Sequence, residues 1–211
     1  MTEEEAQAWL RTTLHVSRET MDLLGGIASL VITESAHQNL ISAATIDHIW
    51  ARHITDSAQL LTLVTGAPND LWMDLGTGAG FPGIIIAALD PARRVLLVES
   101  RRKRIDFLNQ VIDRFGLTNA SVFGGRLETL LAQKAAIISA RAFAPLPKLF
   151  DVAHRFSGNG TVWLLPKGRS AREELESVAQ TWQGMFHVEQ SVTDPEAAII
   201  VARDVQRKRT R

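Results

Sequence analysis

Residues 71–83, LWMDLGTGAGFPG, decide the fold of this 211-residue chain. The apolar run 71–75, with Asp74 near its end, is typical of a buried strand. Four glycines follow within eight residues, and the apolar run 84–89 can continue as a helix. Glycine lets the backbone adopt positive φ and approach a ligand closely. The stretch therefore predicts a ligand-binding corner of an α/β sheet, beyond the carboxyl end of its strand.

The spacing of these glycines narrows the choice of ligand. Dinucleotide-binding loops read G-x-G-x-x-G, but after Gly76, Gly78 and Gly80 the position that needs glycine is Phe81. Pro82 has no N–H to offer a pyrophosphate, and the chain has no G-K-[ST] motif of a P-loop. The D-x-G-x-G-x-G form resembles the S-adenosylmethionine (SAM) loop of Rossmann-like methyltransferases. A tight turn that binds no ligand is the alternative.

Composition excludes several classes of protein. The length predicts one domain or a domain with a small extension, and a 45% hydrophobic content is enough for a substantial core. No apolar run approaches the roughly 20 residues that span a bilayer, and the acidic start MTEEEAQAWL is unlike a signal peptide, so a cytoplasmic protein is expected. The absence of cysteine excludes thiolate zinc sites and a cysteine nucleophile. We expect no metal site.

The first 66 residues are predicted to be a helical extension of a Rossmann-like domain at 67–211. Thr2 and Glu5 form a capping-box pattern at the start of a first helix. Apolar spacing predicts a second helix and, after a loop at 39–44, a third from Thr45 to about 65. The boundaries predicted for the first two helices are 2–14 and 17–35, and residues 66–69 form a joint.

The rest of the chain alternates strand and helix patterns, which predicts a parallel doubly wound sheet. After the first strand, apolar runs predict strands at 95–98, 120–123, 135–139, 161–165, 185–189 and 197–202. The last two form an antiparallel pair, which gives a mixed sheet of seven strands. Ser100 is expected to cap one helix, and Ser170 with Glu173 a helix that reaches about Trp182. The basic tail DVQRKRTR is expected to be mobile.

Polar residues at strand ends are the candidate ligand contacts. Glu99 ends the second strand, where an acid accepts hydrogen bonds from a ribose; because both NAD and SAM carry that ribose, it does not discriminate between them. An ion pair with Arg101 or Lys103 is the alternative. Leu127 and Glu128 lie where adenine would be held, or form the first turn of a helix.

Arg141 and a polar group on the third helix are open to more than one interpretation. Arg141 follows the fourth strand and could contact cofactor or substrate. Arg52, His53 and Asp56 on the third helix could contact substrate, or could form a solvated face with an Arg52–Asp56 pair at i,i+4.

Five segments together resemble the RsmG (GidB) family, bacterial methyltransferases that form 7-methylguanosine in small-subunit ribosomal RNA. They are RHITDS (52–57), DLGTGAGFPG (74–83), VESRRKRIDFLNQV (98–111), GLTNASVFGGRLE (116–128) and ISARAFAPLPKL (138–149). The similarity runs from Asn39 to Gly168. Ile41 and Pro166 depart from the pattern of the family, and both concern substrate contacts more than cofactor binding.

The resemblance implies a SAM-dependent enzyme that methylates N7 of a guanine in 16S ribosomal RNA. The cofactor-binding positions that we expect are Asp74, Gly76, Gly78, Gly80, Phe81, Glu99, Leu127, Glu128 and Arg141. Guanine N7 carries a free lone pair and no proton, so we assign no general base. The enzyme needs mainly positioning and a favourable field, for which Arg141 and Lys167 are the candidates.

Because the net charge is zero, RNA binding must use local basic patches. The candidate substrate contacts are Arg52, His53, Arg101, Lys103, Lys148, Lys167 and Arg169. The same basic clusters include Arg102, Arg104, Arg172, Arg207, Lys208, Arg209 and Arg211. Each cluster could instead be a solvated surface.

We expect a monomer whose partner is 16S ribosomal RNA within the small subunit, and no membrane partner. A methyltransferase for a small molecule or a protein, an RNA-binding scaffold with a vestigial SAM loop, and a nicotinamide oxidoreductase are the competing functions.

Overall fold

The computed structural model describes residues 1–64 and 70–208 of the chain. In these residues seven strands form one sheet in the order β3-β2-β1-β4-β5-β7-β6. The strands are β1 Leu71–Leu75, β2 Arg94–Glu99, β3 Ala120–Gly124, β4 Ile137–Ala140, β5 Val162–Lys167, β6 Trp182–Gln190 and β7 Ala198–Arg207. Strands β1 to β5 are parallel, and β7 runs antiparallel to both β5 and β6. The predicted mixed, Rossmann-like sheet is confirmed.

Helices cover both faces of this sheet. The α-helices are α1 Glu3–Thr13, α2 Arg18–Ser35, α3 Asp56–Ala58, α4 Gly83–Leu89, α5 Arg102–Phe115, α6 Leu146–Ala153 and α7 Ala171–Val178. Short 3₁₀ turns occupy Leu127–Thr129 and His154–Phe156. Across the described part of the chain, no helix is both long and apolar enough to cross a membrane.

Alternation of side chains along β1 divides the interior into two cores. Trp72 packs into the core that contains α2, α4 and α5, whereas Met73 and Leu75 pack into the core that contains α6 and α7. All three side chains are fully buried, because successive strand residues face opposite sides of a sheet whose two faces are both covered by helices. Asp74 lies on the same face as Trp72. The central strands are therefore held by a packed core on each face of the sheet.

The N-terminal helices share the first of these cores with the sheet. Leu10, Leu24 and Ile54 are fully buried in the same cluster as Trp72 and the residues of α4. The predicted capping box is confirmed, since the Thr2 side chain accepts from the Glu5 N–H and the Glu5 carboxylate accepts from the Thr2 N–H. The described residues on either side of the proposed boundary at 66/67 share this core, and the boundary stays a prediction. The predicted joint at 66–69 falls outside the described residues.

The prediction of one regular helix from Thr45 to about 65 is wrong. The chain forms a 3₁₀ helix at Ala43–His48, a π-helix at Trp50–Thr55, the single turn α3 and a second 3₁₀ helix at Gln59–Leu63. We call residues 43–63 the mixed helical segment. The Glu3 carboxylate accepts hydrogen bonds from the N–H groups of Trp50 and Ala51, at 3.0 and 2.9 Å. These two donors are therefore satisfied from another helix, and π-helical turns of this kind occur often at functional sites.

Two predicted helix caps are also wrong. Glu99, not Ser100, satisfies the first N–H groups before α5. The Ser170 hydroxyl donates to the Glu174 carboxylate and caps no backbone group. Helix α7 ends at Val178, and Trp182 begins β6. The prediction of a mobile tail fails for residues 204–207, which extend β7.

Candidate active site

A cavity of about 1120 Å³ opens at the carboxyl edge of the parallel strands. The glycine loop after β1 forms one wall, the loop after β4 the middle, and the end of β5 with α7 and β7 the far wall. The residues that line it include Thr45, Arg52, His53, Asp56, Gly76, Thr77, Gly78, Phe81, Arg101, Arg104, Arg141, Phe143, Pro166, Lys167, Glu174 and Ala198. The space is ample for a ligand of drug size together with part of a second molecule.

Glycine is required at the first position of the loop. Gly76 has a φ of +63°, and its N–H donates to the Val98 carbonyl at 2.8 Å. A Cβ on Gly76 would lie 2.4 Å from Cδ2 of Phe143. The loop after β4 thus packs directly on the loop after β1, and only a residue without a side chain permits this contact.

Asp74 supports the loop from behind. Its side chain is fully buried; Oδ2 accepts from the Gly83 N–H at 3.0 Å and Oδ1 accepts from the Ser139 hydroxyl at 2.7 Å. The Trp72 indole N–H donates to the same Ser139 oxygen at 2.8 Å. Burial raises the pKa of Asp74, against hydrogen bonds from Ser139 and Gly83 that lower it. Asp74 does not line the cavity; its hydrogen bonds hold the loop, and its contact with a cofactor stays a prediction.

Glu99 accepts hydrogen bonds from backbone N–H groups with its carboxylate. Its carboxylate is almost fully buried; Oε2 accepts from the Gly78 N–H at 3.1 Å, and Oε1 accepts from the two N–H groups that follow Glu99. Its cationic neighbour is Arg104, 3.8 Å away, rather than the side chain of Arg101 or Lys103. Glu99 lies beneath the cavity wall, and its contact with a ribose stays a prediction.

Arg141 joins the end of β4 to the mixed helical segment. Its Nη2 lies 3.0 Å from Nδ1 of His53, and its Nη1 lies 3.2 Å from Oδ2 of Asp56. The guanidinium also stands over the Phe81 ring at 5.4 Å, and His53 stacks on the same ring at 5.0 Å. The alternative of an Arg52–Asp56 pair is wrong, because Asp56 pairs with Arg141 and Arg52 pairs with Asp194.

The hydrogen bonds of His53 fix its tautomer. Arginine can only donate, so Nδ1 of His53 must accept from Arg141. The Thr45 hydroxyl donates to the Ser42 carbonyl at 2.9 Å, and it therefore accepts from Nε2–H of His53 at 2.9 Å. Burial, with the positive charges of Arg141 and Arg52, lowers the pKa of His53 to about 3. The ring is neutral and orients Arg141.

Lys167 stands at the opposite end of the cavity. Its Nζ lies 2.7 Å from Oε2 of Glu174, and its side chain is 10% exposed. Pro166 lies within β5 and pairs with Ile199 of β7, a strand position where the missing N–H is tolerated because β4 pairs only as far as Leu164. Glu174 was not among the predicted site residues, and its position on a helix after β5 offered only a weak signal. Nowhere in residues 1–64 and 70–208 do three or more His, Asp or Glu side chains form a group that could hold a metal ion.

Comparison with known proteins decides the family. The profile of the family described as rRNA small subunit methyltransferase G (GidB) matches residues 22–200. The chain belongs to this family. Among the methyltransferase G relatives, the protein of Rhizorhabdus wittichii is 53% identical over 207 residues, which cover 98% of this chain and 94% of the relative. The protein of Zymomonas mobilis is 50% identical over 216 residues, which cover 99% and 97%.

Solved structures show the fold alone, because their identities are low. Fibrillarin of Aeropyrum pernix, with natively bound S-adenosyl-L-methionine, aligns with a TM-score of 0.54 at 18% identity over 72% of this chain and 75% of its own. Precorrin-6y C5,15-methyltransferase of Geobacter metallireducens aligns with a TM-score of 0.52 at 16% identity over 78% and 90%. The methyltransferase G chain therefore has the fold of SAM-dependent enzymes.

The structure brings together only some of the predicted residues of this methyltransferase G family member. Of the expected cofactor positions, Gly76, Gly78, Phe81 and Arg141 line the cavity, whereas Gly80 is buried against Ile84 and Leu108. Neither Leu127 nor Glu128 lines it: Leu127 is buried in the second core, and Glu128 is half exposed beside Arg126. Arg155 donates to the carbonyls of Leu127, Glu128 and Leu130, which fixes this turn. Their adenine contacts stay a prediction.

The basic residues of the family member divide between two edges of the sheet. Arg52, His53, Arg101 and Lys167 line the cavity. The other candidates on this edge, Lys103, Lys148 and Arg169, are exposed but do not line it, and Arg169 pairs with Glu196. The cluster at 207–208 cannot join them, because β7 is antiparallel and its end lies beside the start of β5. The predicted Arg209 and Arg211 lie outside the described residues.

Proposed function

We propose that this protein transfers a methyl group from SAM to N7 of a guanine in 16S ribosomal RNA of the small subunit. The observation that supports this most is membership of the methyltransferase G family over residues 22–200. The cavity at the carboxyl edge of β1 and β4 supports it independently, because ligands of open α/β sheets bind there.

The glycine loop fits SAM better than a nucleoside diphosphate. Gly76 and Gly78, with φ values of +63° and +62°, bring bare backbone to the cavity wall. SAM carries no phosphate, so it needs this close approach and no cluster of free N–H groups. Gly78 already donates its N–H to Glu99 at 3.1 Å, which removes one of the donors that a pyrophosphate would use.

The chemistry of N7 methylation asks little of the protein beyond positioning. When bound, SAM supplies an electrophilic methyl group; the N7 lone pair forms the new N–C bond while the electrons of the C–S bond leave with sulfur. No proton is removed, which agrees with the lack of an assigned general base. Arg141 is held by His53, Asp56 and the face of Phe81, and we propose that its fixed N–H donors position the cofactor or the base.

Basic side chains around the cavity mouth supply the RNA contacts that we propose. Arg52, Arg101 and Lys167 line the cavity, and Lys103 and Lys148 are exposed on the same edge. Such contacts with phosphate supply affinity that depends on salt. Because the net charge of the chain is zero, we propose that the folded ribosomal subunit, rather than free RNA, presents the base. We further propose that the enzyme acts as a monomer in the cytoplasm.

The proposal is tested by transfer of labelled methyl groups from SAM to purified ribosomal particles that lack the modification. Small subunits should accept about one methyl group each, protein-free 16S RNA should accept less, and large subunits should accept none. Equal labelling of small and large subunits would contradict the assigned substrate. Isothermal calorimetry with SAM and with NAD in parallel should detect SAM alone; binding of NAD instead would favour an oxidoreductase.

A further inference from the structure

The far wall of the cavity presents one cation and one anion side by side. Nζ of Lys167 lies 2.7 Å from Oε2 of Glu174, and both residues line the cavity. Lys167 ends β5, and the strand order places β5 two strands from β1. Neighbouring strands lie about 4.8 Å apart, so this pair is about 10 Å from the strand that precedes the glycine loop. That distance leaves room for a cofactor near β1 and a base near β5.

The pair matches the hydrogen-bonding edge of guanine. That edge carries the acceptor O6 followed by two donors, N1–H and N2–H₂, and a lysine can only donate whereas a carboxylate can only accept. Adenine would present a donor, its N6 amino group, in place of O6. We propose that Glu174 accepts from N1–H and N2–H of the target guanine while Lys167 donates to O6, and that this pair selects guanine. The inference rests on the proposed function.

Glu174 has the acceptor capacity that this contact needs. Its carboxylate accepts from the Leu146 N–H at 3.2 Å, from the Ser170 hydroxyl at 3.2 Å and from Lys167. A carboxylate offers about four acceptor sites, so one site is open. A second opens when Lys167 turns towards O6. The two sites correspond to the two donors of the base.

The same contact would strengthen as the methyl group is transferred. Methylation of N7 makes the purine cationic and its N1–H a stronger donor, so the attraction to a carboxylate grows towards the transition state. An interaction that is stronger in the transition state than in the ground state raises kcat. Glu174 would therefore affect turnover as well as the choice of base.

A purely structural role for Glu174 is the competing explanation, since it ties the start of α6 to α7. The variant Glu174→Gln keeps the size of the side chain and removes its charge. Glu173→Gln, a change on the exposed side of the same helix, is the matched control. The substrates are small subunits reconstituted with ligated 16S RNA that carries guanosine or inosine at the methylated position; inosine lacks only the N2 amino group.

For the wild-type protein and the control we expect kcat/KM to be about tenfold lower on inosine than on guanosine, the effect of one lost hydrogen bond to a charged group. Glu174→Gln should lose at least about tenfold on guanosine, mostly in kcat, should discriminate against inosine less than about threefold, and should bind SAM as the wild type does. Wild-type activity of Glu174→Gln would overturn the inference but not the proposed function. An equal loss of kcat/KM on guanosine and inosine would do the same, because the discrimination between the two bases would then be unchanged. A wild-type protein that methylates neither substrate would overturn the proposed function with it.

Discussion

Nη2 of Arg141 lies 3.0 Å from Nδ1 of His53, and this contact joins the end of a central strand to the N-terminal helical segment. The segment changes from 3₁₀ to π to α within sixteen residues, 43–58, and the π-helical part carries the histidine. The hydrogen bond forces His53 into its neutral Nε2–H form, which in turn bonds to Thr45 at 2.9 Å. An irregular helix thus fixes the orientation of a cation in the cavity.

Replacing Arg141 should reduce methyl transfer more than stability. In Arg141→Gln the amide cannot reach His53, Asp56 and the Phe81 face together, so we expect kcat/KM to fall about 10²-fold, as misplaced substrates do. Steady-state transfer to small subunits measures it. The exposed Arg126, whose partner Glu128 is 3.8 Å away, provides the control Arg126→Gln. Turnover of Arg141→Gln at the wild-type level would show that this side chain does not position the reacting groups.

His53 should make stability depend on pH in the mildly acidic range. Its pKa is about 3 in the folded protein against 6.5 for the free side chain, so the unfolded chain binds the proton first. The stabilisation is complete above pH 6.5 and is lost as the pH falls from 6.5 towards 3. By linkage the free energy of unfolding loses about 2 kcal/mol between pH 7 and pH 5 through this group.

Urea denaturation at the two pH values tests this directly. Between pH 7 and pH 5, the free energy of unfolding should decrease by about 2 kcal/mol less for His53→Gln than for the wild type. The variant His48→Gln, at the exposed last residue of the 3₁₀ helix Ala43–His48, should retain the full decrease in the free energy of unfolding. If His53→Gln and the wild type change in parallel, the histidine is not buried in its neutral form.

Asp74→Asn should weaken the glycine loop from beneath. The carboxylate accepts from the Gly83 N–H and the Ser139 hydroxyl, whereas an amide must turn its NH₂ group towards one of these donors. A buried donor left unsatisfied costs about 1–3 kcal/mol, so the melting temperature and the affinity for SAM should both fall. Asp106→Asn, which removes an exposed i,i+4 pair with Arg102, should change neither. Unchanged SAM affinity in Asp74→Asn would argue against the supporting role.

Gly76→Ala should abolish the close contact between the two loops. The φ of +63° strains any side chain, and the new Cβ would lie 2.4 Å from Cδ2 of Phe143. Gly160→Ala is a matched control, because φ is +82° there and no atom lies within 4 Å of the added Cβ. Both variants pay roughly 1–2 kcal/mol of backbone strain, but only Gly76→Ala should lose SAM binding in calorimetry. Equal loss in both would assign the effect to strain alone.

The strands were predictable because each is short, apolar and followed by a polar or glycine-rich turn. The turn after β1 and the antiparallel pair that closes the sheet were predictable for the same reason. The mixed helical segment was not predictable, since its geometry depends on Glu3, which lies 47 residues before Trp50. The local sequence pattern does not indicate a contact with so distant a residue.

The candidate site was predictable in part. Strand ends correctly indicated the edge, and Arg141 with Gly76 lines the cavity there. Sequence could not distinguish carboxylates that face the cavity from carboxylates that hold its wall. Asp74 accepts from the Gly83 N–H and the Ser139 hydroxyl, and Glu99 accepts from the Gly78 N–H. Glu174 was missed because its partner Lys167 is brought to it by the turn between β5 and α7.

The proposed function depends most on which atom receives the methyl group. Small subunits that lack the modification should be methylated with the purified protein and SAM, and their RNA then reduced and treated with aniline, which cuts the chain at 7-methylguanosine. We predict a single new cleavage at one guanine of 16S RNA, dependent on both protein and SAM. Incorporation of methyl groups without cleavage would contradict N7 as the target.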